Sequence, residues 1–218
     1  MADLILYSYW RSSSSYRVRI ALNLKALPYE YRAVHLLRDG GEQKKPEYTA
    51  INPAGMVPCL VDGDRVLTES MAIIEYLDAV YPDPPLFPFD PFAAAQVRTL
   101  CEGINAGVQP LHNSSILQEI AARYQASKEA TADWARHFLV KGMRAMEARL
   151  AKTAGTFCFG DNVTAADVFL VPQVFTANRY AVDMTAYPLT SRINQACLEL
   201  KAFQNAEPSL QPDAVAPA

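Results

Sequence analysis

Apolar residues follow two different rhythms along this chain. Leu4-Ile5-Leu6-Tyr7 is a short apolar run of the size of a buried strand. From Val18 to Leu27 the apolar positions recur at helical spacing, with Ile20, Leu24 and Leu27 on one stripe, and Pro28 stops that helix. Tyr29 to Val34 reads as a second strand. Cys59-Leu60-Val61, the turn Asp62-Gly63-Asp64 and Arg65-Val66-Leu67 read as a hairpin. Thr68-Glu69-Ser70 then opens a helix carrying Met71, Ile74 and Leu77.

The rhythm changes at Tyr81–Pro91, where Pro82, Pro84, Pro85, Pro88 and Pro91 deny both helix and central strand. Beyond it, Ala93 to Ile104, Ser115 to Tyr124, Asp133 to Leu150, Ala165 to Phe175 and Ser191 to Phe203 all suit helices, and strand signals nearly vanish. Thr164-Ala165-Ala166-Asp167 has the form of a capping box with Asp for the usual Glu, so Asp167 reads as structural. The expected fold is therefore α/β plus all-α. A thioredoxin-like domain over residues 1–81, β-α-β then β-β-α, precedes a Pro-rich linker over 82–91. An all-helical domain over 92–218 follows, with an extended tail from Ala206 that holds Pro208, Pro212 and Pro217.

Composition removes several function classes. The net charge of −3 leaves no broad basic field for nucleic acid or an anionic membrane. No apolar run approaches the ~20 residues of a membrane span. Cys59, Cys101, Cys158 and Cys197 lie far apart, which reads as reduced thiols rather than a disulfide framework. His35, His112 and His137 lack zinc-site spacing, so no metal is expected. Met1-Ala2-Asp3-Leu4 is not a signal peptide, and the cytoplasm is the expected compartment.

The densest candidate chemistry is Arg11-Ser12-Ser13-Ser14-Ser15-Tyr16-Arg17, between a strand and a helix. A helix N-terminus offers unpaired N–H groups and partial positive charge. One serine suffices as an N-cap. Four hydroxyls and two arginines exceed that need and suit an anion, a thiolate included. Neither a phosphate-binding GxxxxGK[ST] loop nor a GxSxG elbow is present. Val57-Pro58 precedes a predicted strand; it is either a plain edge proline or a cis bond that exposes the Val57 backbone to an extended ligand. Glu69-Ser70, taken alone, reads as a helix cap, though it also suits an amino-acid head group.

Longer strings carry a family resemblance. They are Tyr7-Ser8-Tyr9-Trp10-Arg11-Ser12-Ser13-Ser14-Ser15-Tyr16-Arg17-Val18-Arg19-Ile20-Ala21-Leu22, Asn52-Pro53 through Val57-Pro58, and Ser70 through Leu77. In the second half they are Gln109-Pro110-Leu111 with Asn113, Ala166-Asp167 through Val174, and Val182-Asp183 to Tyr187-Pro188. Over almost its whole length the chain resembles the zeta-class glutathione transferases, the maleylacetoacetate isomerases.

The resemblance implies glutathione as cofactor, a maleyl dicarboxylate-type substrate and a homodimer. It implies that Ser12 hydrogen-bonds the glutathione sulfur, with Ser13 and Ser14 beside it and Ser15, Tyr16 and Arg17 in the same loop. Gln43, Val57, Pro58, Glu69 and Ser70 match the peptide-gripping positions. Gln109, Asn113 and Ser115 match positions near the ligand, and Arg179 the arginine for a substrate carboxylate, with Arg11 a second anion candidate. The implied reaction is thiolate-assisted cis–trans isomerisation in phenylalanine and tyrosine catabolism. Many members carry cysteine where this chain has Ser14, a far weaker nucleophile at neutral pH. The competing readings are maleylpyruvate isomerase of the gentisate route and a non-catalytic glutathione-binding member of the fold. Ser114-Ser115, where the pyruvate-type relatives carry basic residues, favours maleylacetoacetate, and the retained Ser12 and Ser13 favour catalysis.

Overall fold

The computed structural model describes residues 4–215. Its contacts divide the chain into two units, one running up to Pro85 and taking up the segment from Leu200 onward, the other spanning Leu86–Glu199.

In the first unit, β1 (Leu4–Ser8), β2 (Tyr29–Ala33), β3 (Cys59–Asp62) and β4 (Arg65–Thr68) form one sheet in the order β2-β1-β3-β4. β1 and β2 are parallel, with Leu6 opposite Tyr31; β1–β3 and β3–β4 are antiparallel, with Leu6 opposite Leu60. Helix α1 (Ser13–Leu24) makes the crossover between the parallel strands. It starts earlier than its apolar stripe alone predicts, because the serines themselves form its first turn. It ends at Leu24, where the buried Lys25 turns inward. Leu6, Val18, Ile20, Leu22, Leu60, Ile73, Ile74 and Leu77 are fully buried and form the core between sheet and helices. The short α2 (Pro46–Thr49) lies between β2 and β3, and α3 (Ser70–Val80) closes the order β-α-β-β-α.

The second unit is helical: α4 (Pro91–Asn105), α5 (Ser114–Tyr124), α6 (Lys128–Thr153), α7 (Ala165–Arg179) and α8 (Pro188–Leu198). Helix α7 is buried on nearly all sides, and the predicted capping box is formed at its start. The fully buried Asp167 accepts from the Thr164 amide (2.8 Å), the Thr164 hydroxyl (3.1 Å) and the Cys158 amide (2.8 Å). Burial pushes its carboxyl up, and those hydrogen bonds pull it back.

The single helix predicted from Ser191 to Phe203 is broken. It becomes α8 and a separate α9 (Lys201–Ala206), because α8 belongs to the helical unit while α9 packs on α1. The tail is also less extended than its prolines suggest: a 3-10 helix runs over Pro208–Leu210, and Pro208 and Gln211 are buried.

Candidate active site

The serine loop leaves the C-terminal edge of β1 and enters α1. The Ser12 amide donates to the Tyr9 carbonyl (3.0 Å), which closes the turn. Ser12 is the N-cap: its Oγ accepts from the Ser15 amide at 3.1 Å. A hydroxyl that accepts in this way still carries its own proton, so Ser12 can cap α1 and donate to an anion at once. It is half-buried, as is Ser14, while Ser13 and Ser15 are buried. Tyr16 and Arg17 point into the protein. Arg11 lies over the Trp10 ring, 5.6 Å from its centroid.

Arg17 joins the first motif to the third, since its Nη1 donates to Ser70 Oγ at 3.1 Å in a fully buried contact. Glu69 precedes α3 with φ 67° and ψ 116°, a conformation that costs a non-glycine residue energy. Its side chain does not cap the helix, so the first turn of α3 stays open to an external acceptor.

The Val57-Pro58 peptide is cis. The turn before it is shaped by two donors on the Met56 carbonyl, Tyr48 Oη (2.5 Å) and Asn52 Nδ2 (2.8 Å). Val57 packs on Val34, Tyr48 and Cys59. Neither its amide nor its carbonyl is engaged by another described residue, which leaves both for an extended ligand. Gln43 donates from Nε2 to the Leu36 carbonyl (3.4 Å), and its Oε1 is buried with no partner among the described residues. One unit thus holds a hydroxyl donor, an open helix end, a free backbone pair and a buried amide oxygen lacking a donor. Those groups fit a short extended ligand that carries an anionic group.

Gln109, Asn113, Ser115 and Arg179 all lie in the helical unit. Gln109 starts a 3-10 helix (Gln109–His112), and Asn113 caps α5, its Oδ1 accepting from the Ser115 amide and hydroxyl at 3.1 and 3.2 Å. Arg179 occupies the last turn of α7. The His112 ring lies 6.5 Å from that of Tyr180, which brings the 3-10 segment to the turn that carries Arg179. A cavity of about 200 Å³ between α4 and α6, lined by Leu100, Ile104, Phe138 and Met146 among others, contains none of the candidate residues.

Residues 6–85 match the family described as glutathione S-transferase, N-terminal domain, and residues 128–196 its C-terminal domain. A probable maleylacetoacetate isomerase of Vibrio cholerae is 47% identical over 98% of this chain and 100% of its own. The chain belongs to the zeta-class glutathione transferases. Among solved structures, a holo maleylpyruvate isomerase described as a zeta-class transferase is 43% identical with a TM-score of 0.94, covering 97% of this chain and 100% of its own. A maleylacetoacetate isomerase from Anaeromyxobacter dehalogenans, solved with glutathione in its active site, is 43% identical with a TM-score of 0.88, covering 98% and 99%.

Family membership gives the observed order of sheet and helices its meaning: a thioredoxin-like unit and a helical unit. Among the described residues there is no cluster of side chains fit to hold a metal, and no helix is long and apolar enough to cross a membrane. Sequence reasoning missed Tyr48 and Asn52 as the residues that shape the turn before Val57. The one signal was the turn dipeptide Asn52-Pro53.

Proposed function

We propose that this chain is a glutathione-dependent isomerase that converts maleylacetoacetate to fumarylacetoacetate. The observation that carries the reading is Ser12, whose hydroxyl caps α1 through its oxygen and keeps its proton for a thiolate. Glutathione suits the groups around it. Val57 would pair with its extended backbone, and Gln43 Oε1 would accept from an amide. The open turn of α3 at Glu69 and Ser70 would take its α-carboxylate, with Arg17 steadying Ser70. Pro58 fixes the Val57 edge, Ser15 donates the amide that orients Ser12, and the buried Tyr16 lies under the Arg19 guanidinium. Gln109, Asn113 and Ser115 are the helical unit's candidates for ligand contact.

When bound, glutathione would supply a nucleophilic thiolate suited to reversible addition at an activated cis double bond. Ser12, the first turn of α1 with Ser13 and Ser14, and its dipole favour that thiolate. Arg11 in the first unit and Arg179 in the helical unit are each candidates for a substrate carboxylate. Ser13 and Arg11 also offset negative charge developing on the substrate carbonyl oxygen. Ser14 fills a half-buried place without supplying a nucleophile, so the essential sulfur is the cofactor's.

The working form is a homodimer in the cytoplasm, serving phenylalanine and tyrosine breakdown. Phe89 and Phe92, strongly exposed beside the start of α4, support an apolar contact with a second copy. Maleylpyruvate is the second substrate reading, favoured by the 0.94 TM-score to a maleylpyruvate isomerase. The test is loss of maleylacetoacetate absorbance only when glutathione is added, run beside maleylpyruvate and beside retention on immobilised glutathione. Retention without turnover of either substrate refutes the isomerase reading in favour of a binding protein.

A further inference from the structure

The turn that presents Ser12 is held from the far end of the chain. The two residues before Arg11 have little secondary structure of their own, yet their polar backbone groups are taken by two side chains. The Trp10 amide donates to Asp213 Oδ2 at 3.0 Å, across 203 positions of sequence. The Trp10 carbonyl accepts from Arg19 Nη2 at 3.0 Å, and the Tyr9 carbonyl from Arg19 Nη1 at 3.4 Å. That same Tyr9 carbonyl receives the Ser12 amide.

Arg19 and Asp213 are fixed in their turn. Arg19 is fully buried; its Nε donates to the Ala206 carbonyl (3.1 Å) and its Nη1 to Ser8 Oγ (3.3 Å). Asp213 Oδ1 accepts from Tyr31 Oη at 2.6 Å. Gln211 Nε2 ties the segment back to the carbonyls of Asn205 and Glu207, at 3.1 and 2.8 Å, and Asn23 Nδ2 holds the Ala202 carbonyl at 3.0 Å. The segment after Leu200 is thus a strap with a defined end on the loop. It is far more ordered than a surface tail needs to be.

We propose that Asp213, backed by Arg19, is a positioning residue for catalysis: the C-terminal strap sets the Trp10–Ser12 turn and thereby the aim of the Ser12 hydroxyl. This rests on the reading of Ser12 as the thiolate donor. The peptide-gripping groups at Gln43, Val57 and Ser70 sit on other elements, and Asp213 bonds the Trp10 amide and Tyr31 rather than any of them. Loss of the Asp213 contact therefore harms the thiolate and spares the grip on the peptide.

The experiment compares the full-length protein with Asp213→Ala, Asp213→Asn and Tyr31→Phe. It reads the ultraviolet thiolate absorbance of bound glutathione, kcat for isomerisation, and Kd for S-methylglutathione, which has no thiolate to form. In Asp213→Ala, kcat falls about tenfold, the equivalent of one hydrogen bond to a charged group, with a matching loss of thiolate. Its Kd for S-methylglutathione stays within about twofold of the parent's, because the grip is separate. Asp213→Asn, which keeps a single acceptor, shows the same pattern more weakly and decides the matter if the alanine variant does not fold. Tyr31→Phe, which frees the carboxylate but leaves it in place, loses less than Asp213→Ala. Unchanged kcat and thiolate in a folded Asp213 variant overturn the proposal. A parallel loss of S-methylglutathione affinity overturns it too, as the mark of general loosening. Absence of a thiolate band in the parent protein overturns the glutathione reading itself, and the strap's role with it.

Discussion

Replacing Ser12 by alanine removes two interactions at once, and their sizes can be separated. The first is the N-cap, since Oγ accepts from the Ser15 amide at 3.1 Å. Its loss costs about 1 kcal/mol of stability, or roughly 2–4 °C in Tm for a chain of this size. The second is the donated proton. A hydrogen bond to a charged group contributes about 1.5–3 kcal/mol, which is about one to two units in the pKa of a bound thiol. The α1 dipole remains and supplies a further ~0.3–1 kcal/mol. Glutathione bound to Ser12→Ala therefore titrates one to two units higher, back toward the ~8.5 of a free thiol, and turnover at pH 7 falls roughly 5- to 20-fold, because the parent thiol is already substantially ionised there. Two companion variants divide the effects. Ser12→Gly loses the donor equally but costs only a few tenths of a kcal/mol as a cap, whereas Ser12→Thr keeps both functions. The assays are an ultraviolet pH titration of the bound thiol, glutathione-dependent isomerase turnover, and calorimetry. Near-normal turnover with an unshifted thiol titration in Ser12→Ala refutes the assignment.

Two further outcomes are expected. Lys25 Nζ, fully buried, donates to Asp78 Oδ1 (2.8 Å) and to the carbonyls of Tyr81 (2.6 Å) and Pro84 (2.9 Å). Lys25→Met takes the Lys25 ammonium from all three acceptors and costs about 3–5 kcal/mol, seen by calorimetry as a Tm lower by roughly 6–20 °C; a shift under about 2 °C would contradict this. All four cysteines are buried. Burial pushes the Cys59 thiol up to about 11, and burial beside the Asp167 carboxylate also raises Cys158 and Cys197. At pH 8 only roughly one part in a thousand of Cys59 is thiolate, so alkylation of the native protein is slow and rises with pH up to that value. With Ser14 in the loop, activity survives alkylation at pH 8, and rapid inactivation would show a reactive thiol that the structure does not contain.

What local chemistry dictates was legible from the sequence. The periodicity located β1, α1, the Cys59–Thr68 hairpin and the helical second half, because each buries a face set by its own spacing. The capping box at Thr164 and Asp167 was equally readable, as it needs only residues three apart. The serine run read as the start of a helix for the same reason, and the structure puts those serines in the first turn of α1 with Ser12 as its cap. Other properties depend on residues distant along the chain. Helix α9 parted from α8 because its packing partner is α1, and no spacing between Ser191 and Phe203 encodes a change of partner. Arg17 reached Ser70 across 53 positions, and Asp213 reached Trp10 across 203. The sequence by itself determined which residue types stand at the start of α1. Tertiary structure alone decided which of them caps α1 and what holds the turn before it, because those contacts exist only once folding brings the partners within hydrogen-bond distance.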